Sequence, residues 1–498
     1  MSRGNDWALP FAASTLTWAS AVYFFSAPVA DNDLWGHLFF GREILAAGSL
    51  PVSNLHSYTA ASYPWINHEI LAECIFAWIF DHLGAAGLLA LKLVLGLATA
   101  VLLYRSARLR TKDVLGRTTS LVLATSLMSY GYLVRPQLFT FLALAWLWHQ
   151  LQRYATGDRR GSWMIPVLFA LWVNTHGGVL AGITVLLLFA AFYSPTAPKA
   201  ADAKCLAALG AASLAALMMN PYGTDLPLFL FRDVLRDRPI TEWSPIPLLG
   251  FSNLHFKAAV LIAALGLFLR RELRLWEIIP IGVAAIAAFR HERHVPLFAI
   301  LATPYLAETF GLWIGRLRLR SGAPSFSPGA RALLVGGLLL IAATQTISVI
   351  RMQWQLRLQI FVSPEEFPVD AVRFLQYNRL RGNIAVPFGW GEYVIWHLFP
   401  YFRVSIDGRY TTAYPDDVID QAWRYMEGSP GWDKILEGAT IALADRRHAT
   451  ASRLAANLNW RLIYSDDTAL LFARQGVALP ATLLRQQRLD AGNAFFFP

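Results

Sequence analysis

Long apolar segments recur along the chain until about residue 350 and then stop. A helix needs about 20 mainly apolar residues to cross a bilayer. Eleven segments approach that length, at 7–29, 84–104, 118–134, 136–152, 163–175, 177–193, 204–219, 257–270, 275–289, 294–315 and 332–350. The pattern predicts a polytopic α-helical membrane module over residues 1–350 with about 11 transmembrane helices. Its first outer loop, residues 30–83, is predicted to contain amphipathic helices.

Residues 351–498 show shorter elements of alternating type. Strands are predicted at 384–388, 402–406, 440–443, 460–464 and 469–473, and helices at 369–380, 392–398, 416–427 and 449–458. Alternating strands and helices favour a layered α/β domain. The turn at 389–391 lacks the full glycine fingerprint of a nucleotide site. The simplest interpretation of the run Asp407-Gly408-Arg409 is a turn with a local ion pair.

Composition narrows the class of protein. Hydrophobic residues make up 55%, charged residues 15% and aromatic residues 13%, which excludes a disordered chain and an ordinary cytosolic enzyme. The 2 cysteines are too few for a disulfide framework. Most of the net charge of +10 lies in residues 1–350, where membrane topology explains it better than a nucleic-acid partner does.

The loop charges predict an orientation. Alternate loops, counted from the N-terminus, carry more than twice as many Lys and Arg as the loops between them. The positive-inside rule places the N-terminus in the cytoplasm, where these arginines are typical interfacial anchors. An odd number of spans then puts residues 351–498 outside. We expect a multi-pass protein of the bacterial inner membrane with a periplasmic C-terminal domain.

The first outer loop begins with a pair of acidic residues, Asp31 and Asp33, and His37 follows one turn later. Two carboxylates at this spacing can bind a divalent cation, or one of them can act as a general base. The alternative is that Asp33 caps an amphipathic helix over Leu34–Ala46. Ionisable residues close to a bilayer are costly and therefore point to function.

A second loop helix is predicted to open at Trp65–Glu69. Glu69 and Glu73 share one face at a spacing of four residues. They can add acid/base or metal-binding capacity beside His68, or they can simply face water among the lipid headgroups.

Further polar residues stand at the outer ends of the predicted spans. Arg135, with Gln137, and the run 290–294, with Arg290, His291 and Arg293, offer cations that suit a lipid phosphate. The alternative for each arginine is snorkelling toward the headgroups. The other outer polar residues are Asn174, His176, Asn220, Tyr222 and Glu242, which can line a polar cavity or form caps and turns.

Together, these features resemble the GT-C superfamily of membrane glycosyltransferases. The sequence is similar to bacterial relatives of the protein O-mannosyltransferases and of the lipid A aminoarabinose transferase. The stretches that carry the resemblance are Asp31–Leu38, Trp65–Glu69, Arg135–Gln137, Asn174–Gly178 and Asn220–Gly223. In the tail, Gly389–Trp396 and Ile406–Arg409 are similar to tails of other members of this group.

The resemblance implies an enzyme that moves a sugar from a polyprenyl-phosphate carrier to a lipid, glycan or protein acceptor. It implies that Asp31 or Asp33 is the general base and that Arg135 and the 290–294 run neutralise the departing phosphate. The other outer polar residues, including His37, His68 and Glu69, would bind substrate. The spacing Asp-Asn-Asp differs from the adjacent Asp-Glu of the mannosyltransferases and is nearer to the metal-using oligosaccharyltransferases. Whether Mg or Mn binds at Asp31 and Asp33 is therefore left open.

Two other classes of function compete with this hypothesis. A transporter or flippase should carry charges at mid-span and on both faces, whereas mid-span candidates are few, Lys92 and Glu308, and the polar clusters are one-sided. This favours an enzyme. A non-catalytic envelope assembly protein is the third alternative, and it would tolerate Asp31→Asn and Asp33→Asn.

Overall fold

The computed structural model describes residues 7–480, 483 and 496–497, except 198, 235, 237–239, 269, 271 and 321–325. The predicted cytoplasmic N-terminus lies outside these residues. The described part of the chain is mostly helical, with one small sheet near its end. The helices are α1 (Ala8–Phe25), α2 (Leu34–Ala47), α3 (Ile70–Arg110), α4 (Val114–Met128), α5 (Gln137–Ala155), α6 (Ile165–Trp172), α7 (Val179–Tyr193), α8 (Ala200–Ala216), α9 (Asp225–Asp233), α10 (Leu254–Phe268), α11 (Leu275–Arg290), α12 (Val295–Arg320), α13 (Pro328–Gln355), α14 (Val369–Tyr377), α15 (Gly391–Leu398), α16 (Asp416–Glu427) and α17 (Ala449–Ala456).

The chain forms two compact units. The helical unit comprises Met1–Ala27 and Leu89–Arg357, and the mixed unit comprises Pro28–Leu88 and Leu358–Pro498. This grouping differs from the predicted one, which placed residues 30–83 with the membrane module. The reason is backbone pairing within the mixed unit, where Tyr58 N–H donates to Val404 O at 3.1 Å and Val404 N–H donates to His56 O at 3.0 Å.

Among the described residues, five helices are long and apolar enough to cross a membrane: α1, α3, α7, α12 and α13, with adjoining turns. Two shorter apolar helices, at Ser162–Trp172 and Leu254–Phe268, fall below that length. Each of the eleven predicted segments overlaps a helix, but the number of spans stays a prediction. The second loop helix and the next predicted span together make up α3, and they are separated at Gly84, whose φ of 62° is not helical.

Two features hold the helical unit together. α4 packs on α12 at Gly116, where a Cβ would lie 2.6 Å from Gly311 N, so small residues permit this close approach. The buried carboxylate of Glu277 pairs with both Arg110 and Arg270 at 2.6 Å. The interpretation of these two inner arginines as simple anchors is therefore wrong, because both are committed to a buried ion pair.

The sheet lies in the mixed unit and has the strand order β2-β1-β3-β5-β4. Its strands are β1 (Gly382–Ala385), β2 (Phe402–Val404), β3 (Ile441–Asp445), β4 (Trp460–Ser465) and β5 (Ala469–Arg474). β1 is parallel to β2 and β3, while β5 is antiparallel to β3 and β4. The predicted α/β domain is confirmed, with five strands at the expected places. The carboxyl ends of the three parallel strands share one edge of the sheet.

Candidate functional site

The acidic pair of the first outer loop sits at the start of α2. Asp31 is buried, and its Oδ1 accepts a hydrogen bond from Asp33 N–H at 3.0 Å. Asp33 is the last residue before α2 and is half-buried. Its side chain makes no capping hydrogen bond to the helix, so the capping alternative does not account for this carboxylate. Asp33 is the more accessible of the two acids.

Three further residues form a group on the inner faces of α2 and α3. His37 Nδ1 lies 3.6 Å from Glu69 Oε2 and 3.6 Å from Glu73 Oε1. Asn67 organises both glutamates, because its Nδ2 donates to Glu73 Oε2 at 2.6 Å and its Oδ1 accepts from Glu69 N–H at 2.8 Å. His68 Nε2 lies 3.5 Å from Glu69 Oε1. The predicted face shared by Glu69 and Glu73 thus points at His37.

This group has the composition of a metal site. One ligand atom from each of His37, Glu69 and Glu73 lies within 4.8 Å of the others. An imidazole with two carboxylates suits Zn²⁺ or Mn²⁺ better than Mg²⁺, which prefers oxygen ligands. Burial lowers the pKa of His37, but its contact with Glu73 and the charges of Glu69, Glu73 and Asp33 outweigh burial and raise it. Asp31 and Asp33 do not belong to the group.

The C-terminal domain supplies a further carboxyl group, that of Glu392 in the first turn of α15. The group is buried, and its Oε2 accepts a hydrogen bond from Gly36 N–H at 3.2 Å. Burial, together with the charges of Asp33 and Asp407, raises the pKa of Glu392 well above its ordinary value. Sequence reasoning could not assign this residue to the site, because more than 300 positions separate it from the loop. We call Asp33, His37, Glu69, Glu73 and Glu392 the acidic cluster.

The predicted turn Asp407-Gly408-Arg409 contains the expected ion pair, and this pair is fully enclosed. Arg409 Nη2 lies 2.7 Å from Asp407 Oδ2 and donates to Asn54 Oδ1 at 2.9 Å. Its guanidinium stacks 4.3 Å from the ring centre of Phe40 and 4.6 Å from that of Trp65. Burial opposes ionisation of Asp407, but Arg409 and Tyr414 outweigh it and hold the pKa of Asp407 below its ordinary value. The pair therefore ties the first outer loop to β2.

A separate group of polar residues lies in the helical unit. Arg135 Nη1 donates to Glu242 Oε1 at 2.6 Å. The neighbouring ring of Trp243 lies 4.8 Å from the Arg293 guanidinium, and Trp243 O contacts His291 Nδ1 at 2.7 Å. The segment 242–243 thus contacts both predicted phosphate-binding stretches. Glu242 binds Arg135, and Trp243 contacts His291 and Arg293. We call Arg135, Arg290 and Arg293 the outer arginines.

The remaining predicted residues of the helical unit form hydrogen bonds within turns or with neighbouring elements. Asn174 Nδ2 donates to Ala170 O and Met219 O, both at 2.8 Å. Asn220 Oδ1 accepts from Tyr222 N–H at 2.8 Å, which forms a turn. His176 Nδ1 contacts Thr140 Oγ1 at 2.9 Å, and Gln137 Nε2 donates to Gly131 O. The contact of Asn220 agrees with the turn alternative, whereas Asn174 also joins two separate segments of the chain.

Comparison with known proteins gives one informative result. No protein-family model matches the chain, and neither does any curated protein sequence. Among solved structures, the chain is similar to the crystal structure of ArnT from Cupriavidus metallidurans in the apo state. The match covers 93% of this chain and 97% of that chain, with a TM-score of 0.52 and 13% sequence identity. The chain therefore shares the fold of ArnT over nearly its whole length.

Proposed function

We propose that the protein is an integral membrane glycosyltransferase. It moves a sugar from a polyprenyl-phosphate donor to a lipid, glycan or protein acceptor at the periplasmic face of a bacterial inner membrane. Eleven spans, a cytoplasmic N-terminus and an outward C-terminal domain belong to this proposal. ArnT, with which the chain shares its fold, is the lipid A aminoarabinose transferase.

One observation carries the proposal: on an ArnT-like fold, the first outer loop builds a buried cluster of carboxylates around one histidine. Burying several carboxylates together costs folding free energy. Apolar side chains would pack the same space without this cost. Such clusters are found where a reaction needs a base or a bound cation. The cluster also lies in the loop that the sequence resemblance marks as catalytic.

The proposed chemistry assigns one task to each group. Asp33, half-buried and not used as a cap, takes the proton of the attacking acceptor hydroxyl or amine. Asp31 holds the Asp33 backbone through its hydrogen bond to the N–H. The outer arginines stabilise the negative charge that remains on the lipid phosphate when the glycosidic bond breaks. His37, Glu69 and Glu73 would hold a divalent cation, which would supply further positive charge for the leaving phosphate.

Binding of the lipid donor tests the proposal, because the Arg135–Glu242 pair allows variants with opposite effects. The purified protein is offered undecaprenyl phosphate, undecaprenyl-phospho-glucose and undecaprenyl-phospho-mannose, and bound lipid is identified by native mass spectrometry. Arg135→Ala should weaken binding about tenfold, since a hydrogen bond to a charged group contributes about 1.5–3 kcal/mol. Glu242→Gln should strengthen binding, because it removes the carboxylate that competes with the lipid phosphate for the Arg135 guanidinium.

Arg232→Ala is the matched control, since Arg232 is exposed in the same unit and should leave binding unchanged. Equal retention of all three lipids and of ordinary phospholipids by every variant would contradict the donor class. The transport and assembly hypotheses would then lead.

A further inference from the structure

The carboxyl edge of the C-terminal sheet lies against the start of α2, within the mixed unit. A Cβ on Gly408, which follows β2, would lie 2.7 Å from Asp33 Oδ1. A Cβ on Gly389, which follows β1, would lie 3.0 Å from Asn32 Nδ2. In open α/β sheets, the crevice outside the carboxyl ends of parallel strands is where ligands bind. Here the acidic segment of the first outer loop occupies that place.

Glu392 fills the space between this loop and the sheet. A Cβ on Gly36 would lie 2.1 Å from Glu392 Oε2, and a Cβ on Gly408 would lie 2.7 Å from Glu392 Oε1. Gly36 is helical, so its backbone conformation does not call for glycine. The Glu392 carboxyl is what excludes a side chain at position 36. Two glycines from distant parts of the chain thus form a cradle for one carboxyl group.

The cradle connects Glu392 to Asp33. Glu392 Oε1 and Asp33 Oδ1 each lie 2.7 Å from the same point beside Gly408, so they are no farther apart than twice that distance. Glu392 Oε2 meanwhile accepts from Gly36 N–H, in the first turn of α2. Burial and the charges of Asp33 and Asp407 raise the pKa of Glu392, which favours its protonated form and reduces its repulsion of Asp33.

We infer that Glu392 is a positioning residue, which fixes the first turn of α2 and thereby the orientation of Asp33. The inference rests on the proposed function, in which Asp33 is the base. It gives the C-terminal α/β domain a part in the reaction: α15 presents a hydrogen-bonding carboxyl group to the first turn of α2. The role needs hydrogen bonds and shape but no charge at position 392.

The test compares two substitutions of similar size. Glu392→Gln keeps the acceptor for Gly36 N–H and a neutral polar group beside Asp33, so it should retain turnover within about twofold. Glu392→Leu keeps the bulk without hydrogen bonds. It should lower kcat by about a hundredfold with little change in KM, the loss expected from a misplacement of about 1 Å. Turnover is measured as release of undecaprenyl phosphate from whichever of the two undecaprenyl-phospho-sugars the wild type converts.

A second readout does not depend on activity. Hydrogen exchange of the peptide that covers 34–40 should accelerate in Glu392→Leu and remain slow in Glu392→Gln. Gly36→Ala, which forces the carboxyl out from the other side, should reproduce the Leu phenotype if Glu392→Leu fails to fold. Glu437→Leu, at an exposed site of the same domain, is the control.

Loss of turnover in Glu392→Gln equal to that in Glu392→Leu would overturn the inference, because the charge would then matter. Full turnover in Glu392→Leu would also overturn it. The Asp33→Asn variant distinguishes failure of the positioning role from failure of the proposed function. If Asp33→Asn is inactive while Glu392→Leu is active, only the positioning role is wrong; if Asp33→Asn is fully active, Asp33 is not the base.

Discussion

His37 Nδ1 lies 3.6 Å from Glu73 Oε1, on the buried side of the first turns of α2 and α3. Glu69 completes a set of one nitrogen and two oxygen donors. Asn67 orients the Glu73 carboxylate and holds the Glu69 backbone, as ligands in metal sites are oriented by their neighbours. The geometry therefore favours a divalent cation at this place rather than at the Asp31–Asp33 pair named from sequence.

We predict that the purified protein binds Mn²⁺ or Zn²⁺ and that His37→Ala and Glu73→Gln each lower the affinity at least about tenfold. Mn²⁺ titration followed by electron paramagnetic resonance, with Zn²⁺ as competitor, measures this directly. Asp31→Asn should leave the affinity unchanged. Loss of binding in Asp31→Asn and Asp33→Asn, with His37→Ala unaffected, would return the metal to the acidic pair.

The raised pKa of Glu392 predicts how stability responds to pH. The folded protein keeps a proton that the unfolded chain releases above about pH 4.3. The free energy of unfolding from this group therefore falls as pH rises above that value. Glu392→Gln removes the penalty, so the variant should unfold at a higher temperature than the wild type at pH 8 and at a similar temperature near pH 4. Each kcal/mol recovered raises the melting temperature by roughly 2–4 °C.

Thermal unfolding followed by intrinsic fluorescence checks this prediction. Glu437→Gln, at an exposed position of the same domain, should show no difference that depends on pH. A Glu392→Gln variant that melts below the wild type at pH 8 would mean that Glu392 is ionised and paired in the folded protein.

The enclosed pair of Asp407 and Arg409 predicts a large stability effect. Asp407→Asn removes the carboxylate partner of a buried guanidinium, which should cost about 3–5 kcal/mol of unfolding free energy. The double variant Asp407→Asn with Arg409→Met should cost less, because no charge stays buried. Since the pKa of Asp407 is lowered on folding, the contribution is complete above about pH 4 and is lost as pH falls through the folded value.

Denaturant unfolding of the two variants and the wild type between pH 3 and pH 7 measures these differences. The wild type should lose stability in acid more steeply than the double variant. Equal stability of the single and double variants at pH 7 would show that the Arg409 guanidinium reaches water once the Asp407 carboxylate has been removed.

The elements of the C-terminal domain could be predicted because local patterns determine them. Apolar strands bounded by glycine turns placed β1 and β2 within three residues of their observed ends, since burial of both sheet faces leaves a continuous apolar run. The boundary between the second loop helix and the next span was predicted as well, because the apolar segment that predicts the span begins at residue 84. The structure interrupts α3 at Gly84, whose φ is 62°.

The assembly of the site could be predicted only in part. Glu69 and Glu73 were recognised because helical spacing puts them on one face, and Asp31 and Asp33 because they follow a span. Glu392 lies in the stretch Gly389–Trp396 that resembles other members of the group, but it could not be assigned to the site, since its partner Gly36 lies 356 positions away and no local rule relates them. Gly36 and Gly408 were the available clues: each interrupts a polar motif at a place where the helix or the turn does not need glycine.

The central claim is that the protein transfers a sugar from a polyprenyl phosphate with Asp33 as the base. Its most direct test is turnover of undecaprenyl-phospho-glucose and undecaprenyl-phospho-mannose in membrane vesicles that retain the native acceptors, followed as release of undecaprenyl phosphate. We expect turnover by the wild type. Asp33→Asn should lower the turnover rate by at least about a hundredfold, the scale of general-base catalysis, and leave donor binding unchanged. Full turnover in Asp33→Asn, or intact lipid after prolonged incubation of a wild type that binds it, would contradict the account.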